Sequence, residues 1–428
     1  MLGLVFGIFI ALMFLAIPIS ASMMAATVAP TILNPSFPGN MNYVIRAVVS
    51  GLDSTPILAV PLFMLSGAVM SKGGISKKLF DIFALFIGKM TAGMPCAVVI
   101  TCLFYGAISG SGPATVAAVG AMCIPVLVEL GYDKLFAAAI VATAGGLGVI
   151  IPPSIPFIMY GVTTGESVGA LFIAGILPGI LIAFCLMAYC VIYCKTKGED
   201  KEKISANYEA LRKKGMFVVL KEGFWALLTP VIILGGIYSG IVTPTEAACI
   251  SVFYAALISV FIYKTVKPVE LIDHMKDAVR SYAPICLLLA FAIAFGRVLV
   301  FLKAPAVVSG FITATFSNKY TFLFALDLVL LILGMFMDTG SAIAILGPIL
   351  LKTATAMGIN GVHFGVILVV NLAIGLVSPP IGINLFVAAP LVNTSSWELG
   401  KKAFPFIGFF LIALLLITYV PAVSLAFL

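Results

Sequence analysis

A helix-breaking pattern that occurs twice inside long apolar runs restricts this chain more than any other feature. Residues 131–153 (GYDKLFAAAIVATAGGLGVIIPP) align without a gap on residues 358–380 (GINGVHFGVILVVNLAIGLVSPP), a constant offset of 227 (380 − 153). Gly131, Ile140, Gly148, Pro152 and Pro153 recur as Gly358, Ile367, Gly375, Pro379 and Pro380, and Pro178 recurs as Pro405. At an offset of 228 (334 − 106), Gly106 and Gly112 recur as Gly334 and Gly340. The matches fall on Gly-x-x-x-Pro-Pro breaks and on Gly-rich turns, the residues that stop a helix.

Composition places these breaks in a membrane. The chain is 62% hydrophobic and 10% charged, with a mean hydropathy of +1.22, against roughly 25% charged for a soluble domain. A spanning helix takes about 20 apolar residues, and the sequence holds about a dozen such stretches. No alternating strands of a membrane β-barrel appear. The first charge is Arg46. Met1–Ile45 lacks the cationic start and cleavage site of a signal peptide, so a retained first span kinked at Pro18 is expected. The net charge of +7 is concentrated between Lys195 and Lys221 and does not indicate nucleic acid. A short basic connection of this kind belongs on the cytoplasmic side, and a solvated interface helix suits it. The eight cysteines are scattered in apolar stretches and read as packing residues; Cys185, Cys190 and Cys194 have no partnering histidine for a transition metal.

Along the chain the expected elements are a first span at Met1–Leu33, a Pro/Asn loop at Asn34–Asn42, and spans at Arg46–Met70 and Leu79–Ile87. A hairpin at 91–130 is tipped by Gly106-Ala-Ile-Ser-Gly-Ser-Gly-Pro113, a broken helix runs over 135–162, and Ala170–Cys194 is a full span. Phe224–Tyr238 and Thr245–Tyr263 follow, then an amphipathic interfacial segment at Lys267–Arg280. Next come Tyr282–Leu302, Val307–Phe316, a second hairpin at 320–357 tipped by Asp338-Thr339-Gly340-Ser341, and a second broken helix at 362–392. The last span is 404–428. Scaffold spans then occupy 1–60, repeat 1 occupies 61–180, a connector with its basic loop 195–221 occupies 181–283, and repeat 2 occupies 284–407.

Inside a bilayer every peptide group needs a partner, so irregular backbone survives only where it lines a cavity. Paired Gly/Pro interruptions in two halves of a membrane chain point to a solute site at their junction. Pro152–Pro153 and Pro379–Pro380 remove backbone donors and free nearby carbonyls. Ser109, Ser111, Thr339 and Ser378 add hydroxyl oxygens beside them. Such oxygens suit a dehydrated Na⁺, and helix N-termini suit an anion.

Ionisable residues in apolar runs each cost roughly 2.5–3.5 kcal/mol or more at the bilayer centre. Asp338, at the second tip, reads as a cation ligand. Arg297 has two readings: a side chain that snorkels to the interface, or a bidentate partner for a carboxylate cargo. Glu246 and Glu166 read as acids at helix starts. His274 and His363 are too few and too separate for a metal cluster or proton relay. There is no phosphate-cradling Gly-x-x-x-x-Gly-Lys-Ser/Thr loop. A serine protease reading of Ser109-Gly-Ser-Gly-Pro113 lacks its base, so no enzyme is expected. The alternative of an ATP-driven importer subunit would need a Glu-Ala-Ala…Gly coupling loop, and Glu246-Ala-Ala248 lacks that glycine.

Five segments in order, GAISGSGPATVAAVG, GGLGVIIPPSIPFIMYG, GIVTPTEAA, GMFMDTGSAIAILGPIL and NLAIGLVSPPIGINLFVAA, resemble the large membrane subunit of TRAP transporters. These are tripartite ATP-independent periplasmic transporters of bacteria and archaea. The resemblance implies an all-α polytopic fold of the ion-transporter superfamily, with two inverted repeats, each holding a re-entrant hairpin and a broken transmembrane helix, working as an elevator. It implies a Na⁺ gradient as driving force, no organic cofactor, a bacterial inner-membrane location, a small four-helix membrane subunit and a periplasmic binding protein that delivers an anion. Sialic acid is the first expected cargo and a C4-dicarboxylate the second. Carried over by motif, one Na⁺ site falls on Ser109, Gly110 and the break from Gly145 through Gly148 to Ile151. The other falls on Asp338, Thr339, Gly340 and the break from Gly375 to Ser378. Ser111, Ser154 and Arg297 would face the cargo.

Overall fold

Apolar runs bounded by Gly, Pro and polar caps become helices, and the described residues hold helices and turns with no strand. The computed structural model describes residues 1–34, 37–316 and 318–428. Pro35 and Ser36, in the expected Asn34–Asn42 loop, and Ser317, in the expected second repeat, lie outside the described residues. Nine of the described helices are long and apolar enough to cross a membrane.

Several helix boundaries differ from expectation. The single span expected at Met1–Leu33 is two helices, Leu2–Phe14 and Ile19–Leu33, packed on one another. Ala16 turns left-handed at φ 58° and Pro18 precedes the second helix, so the chain folds back where a kink was expected. Arg46–Met70 also divides. Met41–Leu52, capped by the Asn40 side chain, stops at Asp53, and Pro56 begins a short turn leading into Ala59–Lys72. The break itself is at Ser54, extended at φ −122° and ψ 119°, and Pro56 sits in the first turn of Thr55–Leu58, where its missing N–H leaves no bond unmade. Conversely, Lys267–Arg280 is no separate interfacial segment: Glu270–Phe301 is one helix of 32 residues with Pro284 inside it. The basic connection is also helical over Lys201–Lys213, capped by Asp200, with Glu202 in its first turn and Arg212 and Lys213 in its last. That order of charge complements the helix dipole.

The broken helices form the centre. All 15 residues of Gly361–Gly375 are buried, as is each residue from Phe136 to Ala144. A helix apolar on every face belongs in an interior. Around them stand longer helices, including Val168–Lys197, Met216–Tyr238 and Glu270–Phe301. Their outward faces carry large apolar side chains such as Phe184, Phe224 and Leu287, as lipid-facing helices do.

The first arm of each hairpin rests on a broken helix through a glycine pair. A Cβ on Gly106 would lie 2.7 Å from the Gly148 Cα, and one on Gly334 would lie 3.2 Å from the Gly375 Cα. A Cβ on Gly106 or on Gly375 would press into the facing backbone, so glycine there lets the two segments approach closely. One acid outside the apolar body secures the first hairpin at both ends. The Glu199 carboxylate accepts from the Ala92 amide at 3.1 Å and from the Tyr132 hydroxyl at 2.5 Å.

Candidate functional site

The first tip joins Gly93–Ser109 to Gly112–Glu129. Gly110 closes the first helix in the left-handed region at φ 63°, and a Cβ there would sit 2.8 Å from the Pro153 carbonyl oxygen. Glycine is therefore required twice over, by conformation and by space. The Gly110 carbonyl accepts from the Ile155 amide at 3.3 Å, stitching tip to break. Behind it, Ser109 Oγ and Thr115 Oγ1 lie 2.9 Å apart, and Thr115 donates to the Ser111 carbonyl at 2.8 Å. The Gly148 Cα faces this oxygen cluster: a Cβ on it would fall 2.5 Å from Thr115 Oγ1 and 2.7 Å from the Ser111 oxygen. Gly145 packs equally close, against Val116 and the Gly112 carbonyl.

The first break is a tight turn over Gly145–Val149 followed by irregular backbone to Ser154. Ser154 is fully buried. Its hydroxyl donates to the Val149 carbonyl and accepts from the Phe157 amide, so it caps Ile155–Thr164. Ile151 directs its side chain at Gly179 on the Val168–Lys197 helix.

The second tip joins Lys319–Phe336 to Thr339–Ala356, and Asp338 is the cap. One carboxylate oxygen accepts from the amides of Gly340 at 2.9 Å and Ser341 at 3.2 Å. In the second break Ser378 donates back to Ile374 at 2.8 Å, and Gly382, at φ 57°, starts the short helix Ile383–Ala388.

Both tips open on one cavity of about 120 Å³, whose wall includes Gly110, Ser111, Ile155, Asp338, Thr339 and Gly340. Met64, Met159, Leu288 and Leu376 supply its apolar sides. Three helices begin at this wall: Gly112–Glu129 after Ser111, Ile155–Thr164 after Ser154, and Thr339–Ala356 after Asp338. Their free amides and positive dipole ends favour negative charge, while Asp338 places one carboxylate beside them. The cavity thus combines an anion-favouring wall with an acid.

Of the residues singled out in the sequence, Gly110, Ser111, Asp338, Thr339 and Gly340 meet at the cavity. Ser109, Gly145 and Gly148 stand directly behind the first tip, and Gly375 against the second hairpin arm. Ser154, Ile151 and Ser378 are engaged in local bonds or packing within the breaks. Arg297 is exposed and absent from the cavity wall. It lies nine residues beyond Leu288, which puts it about 13 Å along the helix and on its opposite face. Two polar residues went unnoticed in the sequence. Thr115 belongs to the oxygen cluster. Asn384, fully buried, donates to the Ala142 carbonyl at 3.1 Å and so ties the second break to the helix leading into the first. Both sit inside the motif segments, four residues past a tip or a diproline, which was the available signal.

An all-helical body of this kind, with multiple candidate spans and broken helices buried at its centre, defines a multi-pass membrane protein of transporter type. The YdaH transporter of Alcanivorax borkumensis has a similar fold, with a TM-score of 0.62 at 14% identity over 93% of this chain and 96% of that one. Residues 6–423 match the family described as "Tripartite ATP-independent periplasmic transporter, DctM component". The chain belongs to this family of TRAP transporter large permeases. The isethionate TRAP transporter permease protein DctMQ of Oleidesulfovibrio alaskensis is 41% identical over all of this chain; the chain spans 66% of that relative's length. The C4-dicarboxylate TRAP transporter large permease protein DctM of Pseudomonas aeruginosa is 38% identical over 86% of this chain and 85% of its own. The sialic acid TRAP transporter large permease protein SiaM of Vibrio cholerae is 32% identical over 99% of this chain and 97% of its own.

Proposed function

We propose that this chain is the large permease subunit of a Na⁺-coupled carrier that imports a small organic anion across the bacterial inner membrane. The observation that carries the reading is the shared cavity, where three helix N-termini and the Asp338 carboxylate converge, with the oxygen cluster of the first tip directly behind its wall. The helix starts bind the anionic head of the cargo. Ser109, Gly110 and the carbonyls from Gly145 to Ile151 hold one Na⁺; Asp338, Thr339, Gly340 and the turn from Gly375 to Ser378 hold another. Ser111 faces the cargo, and Ser154 keeps the helix start beside it in place. Named relatives handle isethionate, C4-dicarboxylates and sialic acid. The cavity's small volume and the ordering of those identities favour a short sulfonate or dicarboxylate here.

In this reading 61–180 and 284–407 are inverted repeats. Their hairpins and broken helices move as one block with cargo and ions, against a scaffold of 1–60, the connector 181–283 and a small four-helix membrane subunit. A periplasmic binding protein delivers the cargo. Na⁺ orders the tips before capture, and coupling follows from the difference in Na⁺ affinity between the two states. Reconstitution with both partners tests this. Uptake should require an imposed Na⁺ gradient and proceed without ATP; uptake driven by ATP alone would support the importer alternative instead.

A further inference from the structure

Away from the tips, unsatisfied buried polar atoms gather at one place in the second half of the chain. Asp327, His363, Asn371 and Thr418 are respectively 3, 2, 0 and 1% exposed. Asp327 Oδ1 accepts from Asn371 Nδ2 at 2.7 Å, and the same amide donates to the Ile367 carbonyl at 3.0 Å. Asp327 Oδ2, Asn371 Oδ1, Thr418 Oγ1 and both ring nitrogens of His363 have no hydrogen-bond partner. Three helices contribute, Lys319–Phe336, Gly361–Gly375 and Ser396–Tyr419. His363 and Thr418 also border a cavity of about 230 Å³. It is rimmed by exposed Lys319 and Tyr320, and the Thr418 side chain lies beside the Asp327 carboxyl.

An ionised carboxylate in such a place is unfavourable, because a buried charge needs a counter-charge or a full set of donors. Among the described residues no lysine or arginine pairs with Asp327, and what faces the carboxyl is neutral, the Asn371 amide and the Thr418 hydroxyl. Asn371 Oδ1 is an orphaned acceptor beside the carboxyl, and these neutral donors supply no counter-charge, so a neutral acid suits this place better than a carboxylate. We propose that Asp327 is a proton-binding site of the carrier, loaded from the cavity bordered by His363 and Thr418, with His363 relaying through Thr418 and not through the distant His274. One proton on Oδ2 removes the charge and gives the acid an O–H that the orphaned Asn371 Oδ1 or Thr418 Oγ1 can accept. In transit the imidazole accepts a proton at one ring nitrogen and releases one from the other, so no charge accumulates on the ring. Thr418 accepts the incoming proton and passes on its own. The charged and titratable groups facing this cluster are His363, Lys319, Tyr320 and Tyr419, with Glu166 beside Gly361 at the start of the His363 helix.

Only the consequence for uptake rests on the carrier reading; the protonation state stands by itself. Infrared spectroscopy of the full-length protein, labelled with ¹³C-aspartate in lipid nanodiscs, tests it at neutral pH. The expected spectrum contains the carbonyl stretch of a protonated carboxylic acid, lost in Asp327→Asn and kept in Asp338→Asn. Its hydrogen–deuterium exchange should slow at least about tenfold in His363→Phe, which is about 1.4 kcal/mol on the exchange barrier. A wild-type spectrum with carboxylate bands alone overturns the proposal, and that measurement needs no variant to fold. In proteoliposomes Asp327→Asn should flatten the dependence of uptake on pH while leaving its Na⁺ dependence unchanged. A raised Na⁺ requirement instead would make Asp327 a sodium ligand and overturn the proton assignment. Failure of Na⁺-driven uptake in the unmutated protein with its partners would count against the carrier reading and leave the infrared result standing.

Discussion

Asp338 caps a helix and faces the cavity at the same time, so its substitution separates two roles. Asn caps almost as well as Asp, and Asp338→Asn should therefore keep the tip folded while removing the charge. The Na⁺ concentration for half-maximal uptake is expected to rise at least about tenfold, about 1.4 kcal/mol; an unchanged Na⁺ response removes Asp338 from the ion site. Ser154→Ala should lower stability by about 1 kcal/mol, the typical value of a lost cap, read as a drop in thermal midpoint in detergent. Arg297 tests the limit of sequence reading. Its position in an apolar run was visible, but the face it occupies depends on how Glu270–Phe301 packs. With Arg297 on the far side from the cavity, Arg297→Ala should hold kcat/KM for uptake within about threefold. A loss beyond about a hundredfold with folded protein would return the guanidinium to the cargo site.

At the scale of elements, glycine pairs hold the hairpins against the broken helices. A methyl on Gly375 would lie 2.4 Å from the Gly334 carbonyl carbon, whereas one on Gly408 meets nothing within 4 Å. Gly375→Ala should destabilise by about 1–3 kcal/mol through overpacking, and Gly408→Ala should be neutral, both measured by thermal unfolding. The tips and breaks were legible in the sequence because glycine and proline act through local backbone chemistry. Element ends set by tertiary packing were not. Nothing local shows that Met1–Leu33 folds back on itself, since Ala16 in a left-handed conformation has no sequence signature. The continuity of Glu270–Phe301 past Pro284 was hidden as well, because proline within a membrane helix is tolerated when neighbours support it.

Across the whole molecule, long-range ties join parts that the sequence separates. Lys402, near the start of Ser396–Tyr419, contacts Asp133 at 2.8 Å, fastening the last long helix to the start of the first broken one. Partial burial raises the Asp133 pKa, but the Lys402 hydrogen bond and the Leu135 amide outweigh it and hold the carboxyl below its ordinary 3.8. Its stabilisation is thus present above the unfolded value and lost as pH falls through the folded one. Asp133→Asn should lower the thermal midpoint at pH 7, and the difference should shrink as the pH falls below the ordinary 3.8. Because the pair is partly exposed, the expected loss is at most about 1 kcal/mol. Neither this tie nor the one from Asn384 to Ala142 was readable beforehand, as each depends on a three-dimensional path between distant segments. The family-level organisation was readable, because five motif segments in order survive any uncertainty about individual spans.

The cavity wall divides its labour by residue type. Backbone and short polar groups at the tips and the apolar side chains of Met64, Met159, Leu288 and Leu376 line the same cavity. If this cavity is the cargo site, trimming or extending those apolar side chains would change the room for a solute's tail without moving a helix start or Asp338. Permeases of this build would then diversify their diet by resizing lipophilic neighbours.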